Sequence, residues 1–341
     1  MPAAGPRALA IAVYSDATGE SFGARESGVE GVACVDDAAR AVTLLAGLWT
    51  RTQSEALRSW AEGLLDFVLW MHDGAGLWVN FIYDWTGTKN LQGPTSVPGP
   101  NFWQARAVEA ATTAASVLNR SDALAAASSG FAAAAEFSAP SNVRAIHSIA
   151  ALERLRVAPD PWLQGLLNSW CDQIAEYCSG GILMNSPDER GRPHLWGHIQ
   201  EAVLAEAGRT LRRPELVELA RRSAAGVFGE AINSSFDLPN VQPYGVQSAV
   251  FVMDRLGAET RDPSYAEAAA NARAWFGGRN PAHLPVYDRD EGRVADGIDE
   301  GVINRDSGAE ANISAGLALM DDSFVLEHAR RMVAPGTEPL K

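Results

Sequence analysis

Two carboxylates stand next to each other where an apolar helix is predicted to begin. The segment from Glu30 to Arg40 contains Asp36 and Asp37, and the residues that follow it are mostly small and apolar. One aspartate at a helix start is explained by N-capping, because its side chain accepts hydrogen bonds from free backbone N–H groups. A second aspartate followed by buried helix needs another explanation, so we predict that this pair is functional.

A third carboxylate, Glu310, enters the last strongly apolar helix of the chain. It follows Ser307 at the spacing of a capping box, in which the glutamate bonds back to the helix start. The helix that it enters consists mostly of Ala, Ile, Gly and Leu, where a carboxylate with only a structural role is costly. Capping and catalysis therefore compete as explanations of Glu310.

Two carboxyl groups that face one groove are the minimum that glycosidic bond cleavage requires. One is protonated and donates to the leaving oxygen, while the other is ionised and activates water or attacks carbon. Burial among apolar helices raises the pKa of one such group, and helix N-termini lower that of another. We therefore predict Glu310 as general acid and Asp37 or Asp36 as base.

Helices are the elements that position these carboxylates. Apolar residues recur at helical spacing along most of the chain, and Ser, Asp, Pro and Gly mark where helices begin and end. This pattern predicts about twelve helices, with ends uncertain by about 2–4 residues. The predicted ranges are 34–51, 54–72, 101–119, 121–137, 141–157, 160–179, 195–211, 213–231, 241–257, 262–276, 308–320 and 322–333.

The links between these helices alternate in length. Links before even-numbered helices are very short, such as Asn119-Arg120, whereas those before odd-numbered helices are mostly long, such as Gly74–Pro100 and Gly277–Ser307. Short links make antiparallel hairpins, and the long links then gather at one face. This pattern predicts an all-α (α/α)6 toroid with short strand pairs near Leu77–Tyr83 and Leu284–Asp288. A helical solenoid is the alternative, which the lack of a fixed-length repeat disfavours.

In such a ring the odd-numbered helices lie inside and run the same way. Their N-termini, with free N–H groups, meet at the long-loop face, where polar ligands are stabilised. The first and last inner helices become neighbours when the ring closes. We therefore expect Asp36, Asp37 and Glu310 to converge at that face, with at least one aspartate carboxylate within about 10 Å of Glu310.

Composition limits the class of protein and its partners. With 47% hydrophobic side chains, the 341 residues can form a large core, and we predict one domain over 1–341 with its core at about 30–333. The net charge of −14 without a basic run disfavours nucleic acid, because a phosphate backbone would be repelled. No apolar run approaches ~18 residues and the N-terminus lacks a signal-peptide pattern. We therefore predict no membrane partner and a cytoplasmic location.

Aromatic and polar residues in and beside the predicted long loops are typical of sugar binding. Aromatic faces stack on the apolar faces of pyranose rings, and polar side chains bond to hydroxyls, although a core position is the alternative for any single tryptophan. We predict an oligosaccharide or polysaccharide substrate. The candidates for binding it are Asn80, Tyr83, Trp85, Trp103, Arg106, His194, Trp196, His198, Gln200, Gln242 and Tyr244.

Metal and cofactor sites are not indicated. We expect His194 and His198 on one helical face, which could bind zinc, but no Glu follows His194 and no third ligand is evident. Asp288, Asp290 and Gly292 do not match the spacing of a calcium-binding loop. There is also no phosphate-binding Gly loop and no nucleophile elbow. We predict no cofactor and no metal, so that catalysis survives chelation.

Several of these segments together resemble a known family. The run from Val32 to Arg40 is similar to an Asp-Asp-x-Ala-Arg-Ala motif near the start of six-hairpin glycosidase-like domains, including domains attached to bacterial glycosyltransferases. The resemblance extends from about Tyr14 to Met320. The later segments that carry it are Trp275–Asn280, Pro285–Asp288, Asp296–Ile298 and Asn304–Glu310.

The resemblance implies an (α/α)6 barrel that acts on carbohydrate or binds it. Gly308–Asn312 is similar to the acid motif of inverting endoglucanase-type enzymes, which implies that Glu310 donates a proton. The adjacent aspartates are similar to a pair found in mannanase-like members of this family, which implies that Asp36 and Asp37 form a catalytic pair. The matched positions add further substrate-binding candidates, namely Arg40, Asp288, Asp296, Asn304, Arg305 and Asp306.

These observations predict a glycoside hydrolase, with an inverting mechanism favoured. Two alternatives stay open. A sugar epimerase or polysaccharide lyase on the same fold would use His194 or His198 with a tyrosine as its acid/base pair. A non-catalytic glycan-binding module would use the carboxylates only to bond sugar hydroxyls.

Overall fold

The structure is a computed structural model that describes residues 2–22 and 30–335. Residues 1, 23–29 and 336–341 of the predicted single domain lie outside the described residues. Most of the described secondary structure is helical. The α-helices, α1 to α12 in chain order, are Val35–Thr52, Glu55–Trp70, Phe102–Val117, Ser121–Ala135, Ser141–Val157, Pro161–Glu176, Gln200–Thr210, Pro214–Asn233, Pro243–Thr260, Pro263–Arg273, Ala309–Ala318 and Ser323–Arg331.

Two helices begin where an aspartate and a proline supply the cap. Asp160 and Asp262 precede the prolines that open α6 and α10, and their side chains accept hydrogen bonds from Leu163 N and Ser264 N, each at 3.0 Å. Proline fits the first helical position because its missing N–H has no helical partner there. The predicted starts of these helices are confirmed to within one residue.

The helix predicted over 195–211 is wrong at its start. α7 begins at Gln200, and Gly197 ahead of it has a positive φ of 63°. This left-handed conformation is accessible to glycine and interrupts a right-handed helix. His194 and His198 therefore do not share a helical face, contrary to the prediction.

The helix predicted over 160–179 is too long at its end. α6 ends at Glu176, and Cys178–Ser179 pairs as a short antiparallel strand with Ile182–Leu183. Gly180 and Gly181 both have positive φ and form the turn between these strands. Two glycines in succession favour such a two-residue hairpin turn, which ends the helical stretch.

The chain forms two compact units. The first unit comprises Met1–Ser138 with Leu319–Lys341, and the second comprises Ala139–Ala318. In the first unit, α1 packs against α2, α3 and α12, and α3 packs against α4. In the second unit, α5 pairs with α6, α7 with α8 and α9 with α10, while α5, α7, α9 and α11 pack in series. Consecutive helices therefore pair as predicted within each unit, and the single domain stays a prediction.

Helices in the second unit differ in how much of their surface is buried. Every residue from Ser141 to Leu152 of α5 and from Gln200 to Gly208 of α7 is buried, whereas α10 buries only Ala269 and Ala272. This contrast is what the alternation of inner and outer helices predicts. In the described part of the chain, no helix has the length and hydropathy that crossing a membrane requires.

Short strands join the loops around the helix starts. β3 pairs with β4, β8 pairs with β9, and β10 lies between β7 and β11. The strand pairs predicted near 77–83 and 284–288 correspond to β3–β4 and β8–β9. The strands, β1 to β11, are Tyr14–Ser15, Ser21–Phe22, Ala33–Cys34, Phe81–Ile82, Cys178–Ser179, Ile182–Leu183, Asn240–Val241, Tyr287–Asp288, Arg293–Val294, Gly297–Asp299 and Val302–Asn304.

Candidate active site

The start of α1 is capped by residues other than the two aspartates. Cys34 is the N-cap, and its Sγ accepts a hydrogen bond from Asp37 N at 3.4 Å. Asn80 Oδ1 accepts a second one from Asp36 N at 3.0 Å, and Asn80 Nδ2 donates to Thr95 O at 2.9 Å. N-capping therefore does not account for the aspartate side chains, and Asn80 orders the loop that meets α1.

Each of the two aspartates forms an ion pair with a buried arginine. Asp37 Oδ1 accepts from Arg40 Nη2 at 2.7 Å, and Asp36 Oδ2 pairs with Arg106 Nη1 of α3. The thiol of Cys34 donates to Asp37 Oδ2 at 3.3 Å. Burial, and then the charges of Asp37 and Asp36, hold the pKa of this thiol well above its usual value, so it stays protonated. The sequence gives no signal for this role of Cys34.

A tyrosine that sequence reasoning missed also faces this cluster. The Tyr14 hydroxyl donates to the Glu30 carboxylate. Burial, followed by this hydrogen bond and the charge of Glu30, raises the pKa of Tyr14, and Asp37 adds a smaller effect. Tyr14 therefore acts as a hydrogen-bond donor, not as a phenolate, at neutral pH.

The predicted aromatic residues of the first unit divide into anchored and exposed side chains. Trp103 Nε1 donates to the Trp78 carbonyl at 3.1 Å, and the Tyr83 hydroxyl donates to Asn90 Oδ1 at 2.8 Å. Trp85 follows in the same loop and is 48% exposed. It is therefore the most available of these rings for stacking on a ligand.

In the second unit, Glu310 lies in the first turn of α11. Its Oε1 accepts a hydrogen bond from the Trp196 indole Nε1 at 2.8 Å. The Tyr244 ring meets the Trp196 ring edge-on with centroids 6.1 Å apart, and the centroid of the His194 ring lies 6.3 Å from that of Trp196. The structure thus brings four predicted site residues together: a carboxyl group, an indole, a phenol and an imidazole.

Asp296 lies at the same helix start. Its Oδ1 accepts from Gly308 N at 2.7 Å, and its own N–H donates to Asp306 O at 2.7 Å. Burial, and then the charges of Asp306 and Glu310, raise the pKa of Asp296, although the Gly308 hydrogen bond opposes the shift. Asp296 is therefore close enough to Glu310 to be affected by its charge.

Asn312 supports the start of α11 and explains part of the Ser307 pattern. Asn312 Nδ2 donates to Ser307 Oγ at 2.9 Å and to Gly308 O at 2.8 Å, while its Oδ1 accepts from Val294 N at 3.0 Å. Ser307 is thus bonded by Asn312, and Glu310 is bonded by Trp196. The competing explanations of Glu310, capping and catalysis, therefore both stay open.

His198 and Gln200 are buried and hydrogen-bonded inside the protein. His198 lies between Asn185 Oδ1 at 2.8 Å and Glu201 Oε1 at 3.0 Å, and Gln200 Nε2 donates to the same Asn185 oxygen at 3.0 Å. Within residues 2–22 and 30–335, His, Cys, Asp and Glu form no group of three or more that could hold a metal ion. Sequence reasoning missed Asn185 and Glu201, because no motif connects them to the histidine.

The remaining predicted binding residues lie nearer the surface. Gln242 is partly buried just before α9, Asn304 is exposed at the end of β11, and Arg305 and Asp306 are exposed after it. Asp288 Oδ1 accepts hydrogen bonds from the N–H groups of its own turn, at Asp290 and Glu291. Asp288 therefore stabilises the β8–β9 connection.

Several solved enzymes have a similar structure. A cellobiose 2-epimerase from Bacillus thermoamylovorans matches with a TM-score of 0.65 and 12% identity, covering 95% of this chain and 92% of that one. A D-mannose isomerase matches with a TM-score of 0.65 and 9% identity, covering 93% and 90%. A GH76 α-mannanase from Bacteroides thetaiotaomicron matches with a TM-score of 0.61 and 11% identity, covering 87% and 88%.

These similar structures have the (α/α)6 toroid fold. The likeness confirms the predicted all-α (α/α)6 fold, and it favours that fold over a helical solenoid. No protein-family model matches the chain, and a search of curated proteins also finds no match.

Proposed function

We propose that the protein is a carbohydrate-active enzyme, specifically a glycoside hydrolase, and we favour a mechanism that inverts the anomeric configuration. The observation that carries this proposal is the hydrogen bond from the Trp196 indole to Glu310 Oε1 at 2.8 Å. It fixes a carboxyl group beside an aromatic surface. Protonation of a glycosidic oxygen requires a carboxylic acid within reach of it, and an aromatic ring beside that acid suits the stacking of a sugar there.

Asp296 supports the division of protonation states that this chemistry needs. Its pKa is raised by burial and by the neighbouring charges of Asp306 and Glu310. When two carboxyl groups repel one another, the one that keeps its proton does so because the other is ionised. The raised pKa of Asp296 therefore describes Asp296 alone. We assign proton donation to Glu310, because it contacts Trp196, and we assign to Asp296 the support of the helix start through Gly308.

Asp36 is the better candidate for the base of the two aspartates in α1. Its side chain is 15% exposed, against 5% for that of Asp37. Asp37 is bonded by both Arg40 and the Cys34 thiol, which suits a supporting role. Arg106 beside Asp36 stabilises the ionised carboxylate that a base requires. The convergence of Asp36 and Asp37 with Glu310 stays a prediction.

The similar structures support a sugar substrate as a proposal. Their names describe a cellobiose 2-epimerase, a D-mannose isomerase and an α-mannanase. At such low identity the likeness establishes the fold, and function must come from the site. A polysaccharide lyase receives less support, because Asp296, Asp306 and Glu310 would repel a uronate.

A sugar epimerase is the second candidate, and one observation favours it. His194 is exposed, and its ring and that of Tyr244 both lie close to Trp196. Epimerisation next to a carbonyl removes a proton from carbon and returns it, which needs such an acid/base pair. His198 does not fit this role, because it is completely buried and both ring nitrogens are bonded.

One experiment separates these functions. Wild-type protein is incubated with a panel of oligosaccharides and polysaccharides, and NMR follows both new reducing ends and changes at sugar carbons. We expect a new reducing end of inverted anomeric configuration, lost in Glu310→Gln and retained in the exposed control Glu300→Gln. Epimer formation without new reducing ends would contradict hydrolysis, and binding without either product would favour a glycan-binding module.

A further inference from the structure

A polar cluster is buried in the second unit next to the segment that carries Trp196. It consists of Asn185, His198, Gln200, Glu201 and Ser223, each with no more than 3% of its surface exposed. Buried polar groups are costly unless their hydrogen bonds are satisfied, and a satisfied network rigidifies its surroundings. The role of this cluster therefore depends on what it holds in place.

Asn185 is the residue that joins two loops. Its Nδ2 donates to the His194 carbonyl at 3.0 Å and to Glu189 Oε1 at 3.1 Å, and its Oδ1 accepts from Gln200 Nε2 at 3.0 Å. Its backbone N–H donates to Glu189 Oε2 at 2.7 Å, and its carbonyl accepts from Ser141 N at 2.7 Å. One side chain thus holds both ends of the segment 194–200.

The partners of Asn185 determine how its amide is oriented. The His194 carbonyl and the Glu189 carboxylate only accept hydrogen bonds, so the NH2 group must face them. Oδ1 therefore faces His198 Nδ1, and that ring nitrogen carries a hydrogen. His198 Nε2 lies 3.0 Å from Glu201 Oε1, so one further proton lies between imidazole and carboxyl.

Ser223 joins the cluster on the side of α8, where Glu201 Oε2 is buried without a hydrogen-bond partner. Its hydroxyl donates to Glu201 Oε1 at 2.5 Å, and its oxygen accepts from Leu183 N at 2.9 Å. A single orientation of the Asn185 amide is therefore consistent with all its neighbours. The cluster keeps that amide fixed, which a lone asparagine in a loop would not achieve.

Trp196 lies in the middle of the segment that Asn185 holds. Gly197 directly after it has a φ of 63°, and a turn hydrogen bond from His198 N to Leu195 O at 3.2 Å spans these two residues. The indole position therefore depends on this turn and on the bonds that hold its two ends. That position in turn fixes the hydrogen bond to Glu310.

We propose that Asn185 is a positioning residue that places the Trp196 indole, and through it the Glu310 carboxyl group. This inference rests on the proposed function where it concerns turnover, and it makes a separate claim about the indole. Asn185 acts through the backbone of residues 194–200 and does not touch the sugar. A misplacement of about 1 Å at a reacting group can lower the rate roughly 10²-fold, so such support matters for catalysis.

The first measurement needs no substrate. The indole N–H signal of Trp196 is assigned in a ¹H–¹⁵N NMR spectrum by its loss in Trp196→Phe. We expect this signal to shift or broaden in Asn185→Ser, and to stay unchanged in Asn280→Ala. Asn280 is a matched control, because its amide is also buried and holds a loop of the second unit through Trp275 O and Leu284 O.

The second measurement is turnover of the sugar found in the release assay. We expect Asn185→Ser to lower kcat by roughly 10-fold or more, with little change in KM. Combined with Trp196→Phe it should cause no further loss, since both changes remove one interaction, whereas Asn280→Ala should combine additively. If Asn185→Ser does not fold, Gln200→Met removes one bond to the same amide and is tested in the same way.

The outcomes separate the inference from the proposed function. An unchanged Trp196 signal in a folded Asn185→Ser protein, or additive losses with Trp196→Phe, would overturn the positioning role. A wild-type protein that cleaves no sugar would contradict the hydrolase, while the indole signal would still decide whether Asn185 places Trp196.

Discussion

The carboxylates at the start of α1 differ from those at the start of α11 in the groups that balance them. Asp36 and Asp37 pair with Arg106 and Arg40, and both arginines are buried. At the start of α11, Glu310 accepts from an indole N–H and Asp296 from a backbone N–H, both of which are neutral donors. Arginine charges thus offset those of Asp36 and Asp37. At the start of α11, the negative charges of Asp306 and Glu310 act on Asp296.

The surroundings of a carboxyl group can therefore favour either its ionised or its protonated form within one fold. A guanidinium at close range stabilises a carboxylate, which is the state that a base requires. Burial among like charges favours the protonated form, as the raised pKa of Asp296 illustrates. The proposed function assigns the base to the α1 cluster and the acid to Glu310 of the α11 cluster, where Trp196 holds the carboxyl group.

The largest expected effect comes from Glu310→Gln. Glutamine keeps the shape and can accept the Trp196 hydrogen bond, but it has no proton to donate. We expect hydrolysis to fall by roughly 10²–10⁴-fold while the melting temperature stays near that of the wild type. If instead the variant melts earlier and turns over normally, the capping-box explanation of Ser307 and Glu310 is correct.

The next largest effects should separate Asp36 from Asp37. Asp36→Asn removes the ion pair with Arg106, and Asp37→Asn removes the nearer of the two carboxylates beside Arg40, so both variants should lose about 3 kcal/mol of stability. At a temperature where both are folded, Asp36→Asn should also lose turnover by roughly 10²-fold. Chemical denaturation and steady-state kinetics provide the two measurements, and a greater loss of turnover in Asp37→Asn would reverse the assignment.

The fold was the most predictable part of this molecule. Helix starts such as Asp160-Pro161 carry their own caps, and helical periodicity does not depend on distant residues. The start of α7 was predicted wrongly because a single positive φ at Gly197 ends the helical pattern. A glycine does not reveal its conformation in the sequence, since it tolerates both signs of φ.

The candidate site was predictable where function depends on local pattern. The aspartate pair and Glu310 stand out because carboxylates are unusual in apolar helices. Arg40, Arg106 and Trp196 were predicted to bind substrate, and their pairing with these carboxylates was not predicted. Asn185 was missed altogether, because no motif connects it to the residues that it holds. Such contacts arise from tertiary packing, and no local spacing encodes them.

A smaller effect should come from the aromatic side chain near the α1 cluster. Trp85 is exposed in a turn that Asp84 Oδ1 preforms by accepting from Thr86 N at 2.9 Å and Gly87 N at 3.2 Å. We expect Trp85→Ala to raise KM for oligosaccharides about 5-fold, because one stacking contact contributes about 1 kcal/mol. Turnover at saturation and the melting temperature should not change.

The control for that change is Trp162→Ala. Trp162 is 53% exposed in α6 and should affect neither KM nor kcat. Equal effects of the two tryptophans would remove the argument for a sugar contact at Trp85. A fall in kcat without a change in KM would instead mean that the loop of Trp85 affects the chemical step through the α1 cluster.

The smallest effect should appear in the pH dependence of stability. The pKa of Asp296 is raised from the ordinary value of 3.8, so the folded state favours its protonated form. The stability that this group contributes is complete below 3.8 and is lost as the pH rises through the raised pKa. Asp296→Asn cannot ionise and can still accept from Gly308 N. We therefore expect its melting temperature to be about 1–2 °C above that of the wild type at about pH 8, and equal to that of the wild type at about pH 3.5.

Asp84 is a control in which the pKa shift has the opposite sign. Hydrogen bonds from Thr86 and Thr88 lower its pKa to about 2, so the folded state favours its carboxylate, and the stabilisation is present above 3.8 and lost below it. Asp84→Asn should therefore melt below the wild type at about pH 8, with the difference narrowing in acid. Thermal denaturation across this pH range measures both variants. A difference in melting temperature for Asp296→Asn that is equal at every pH would mean that folding does not raise the pKa of this carboxyl group, and the proposed contrast between the two clusters would then fail.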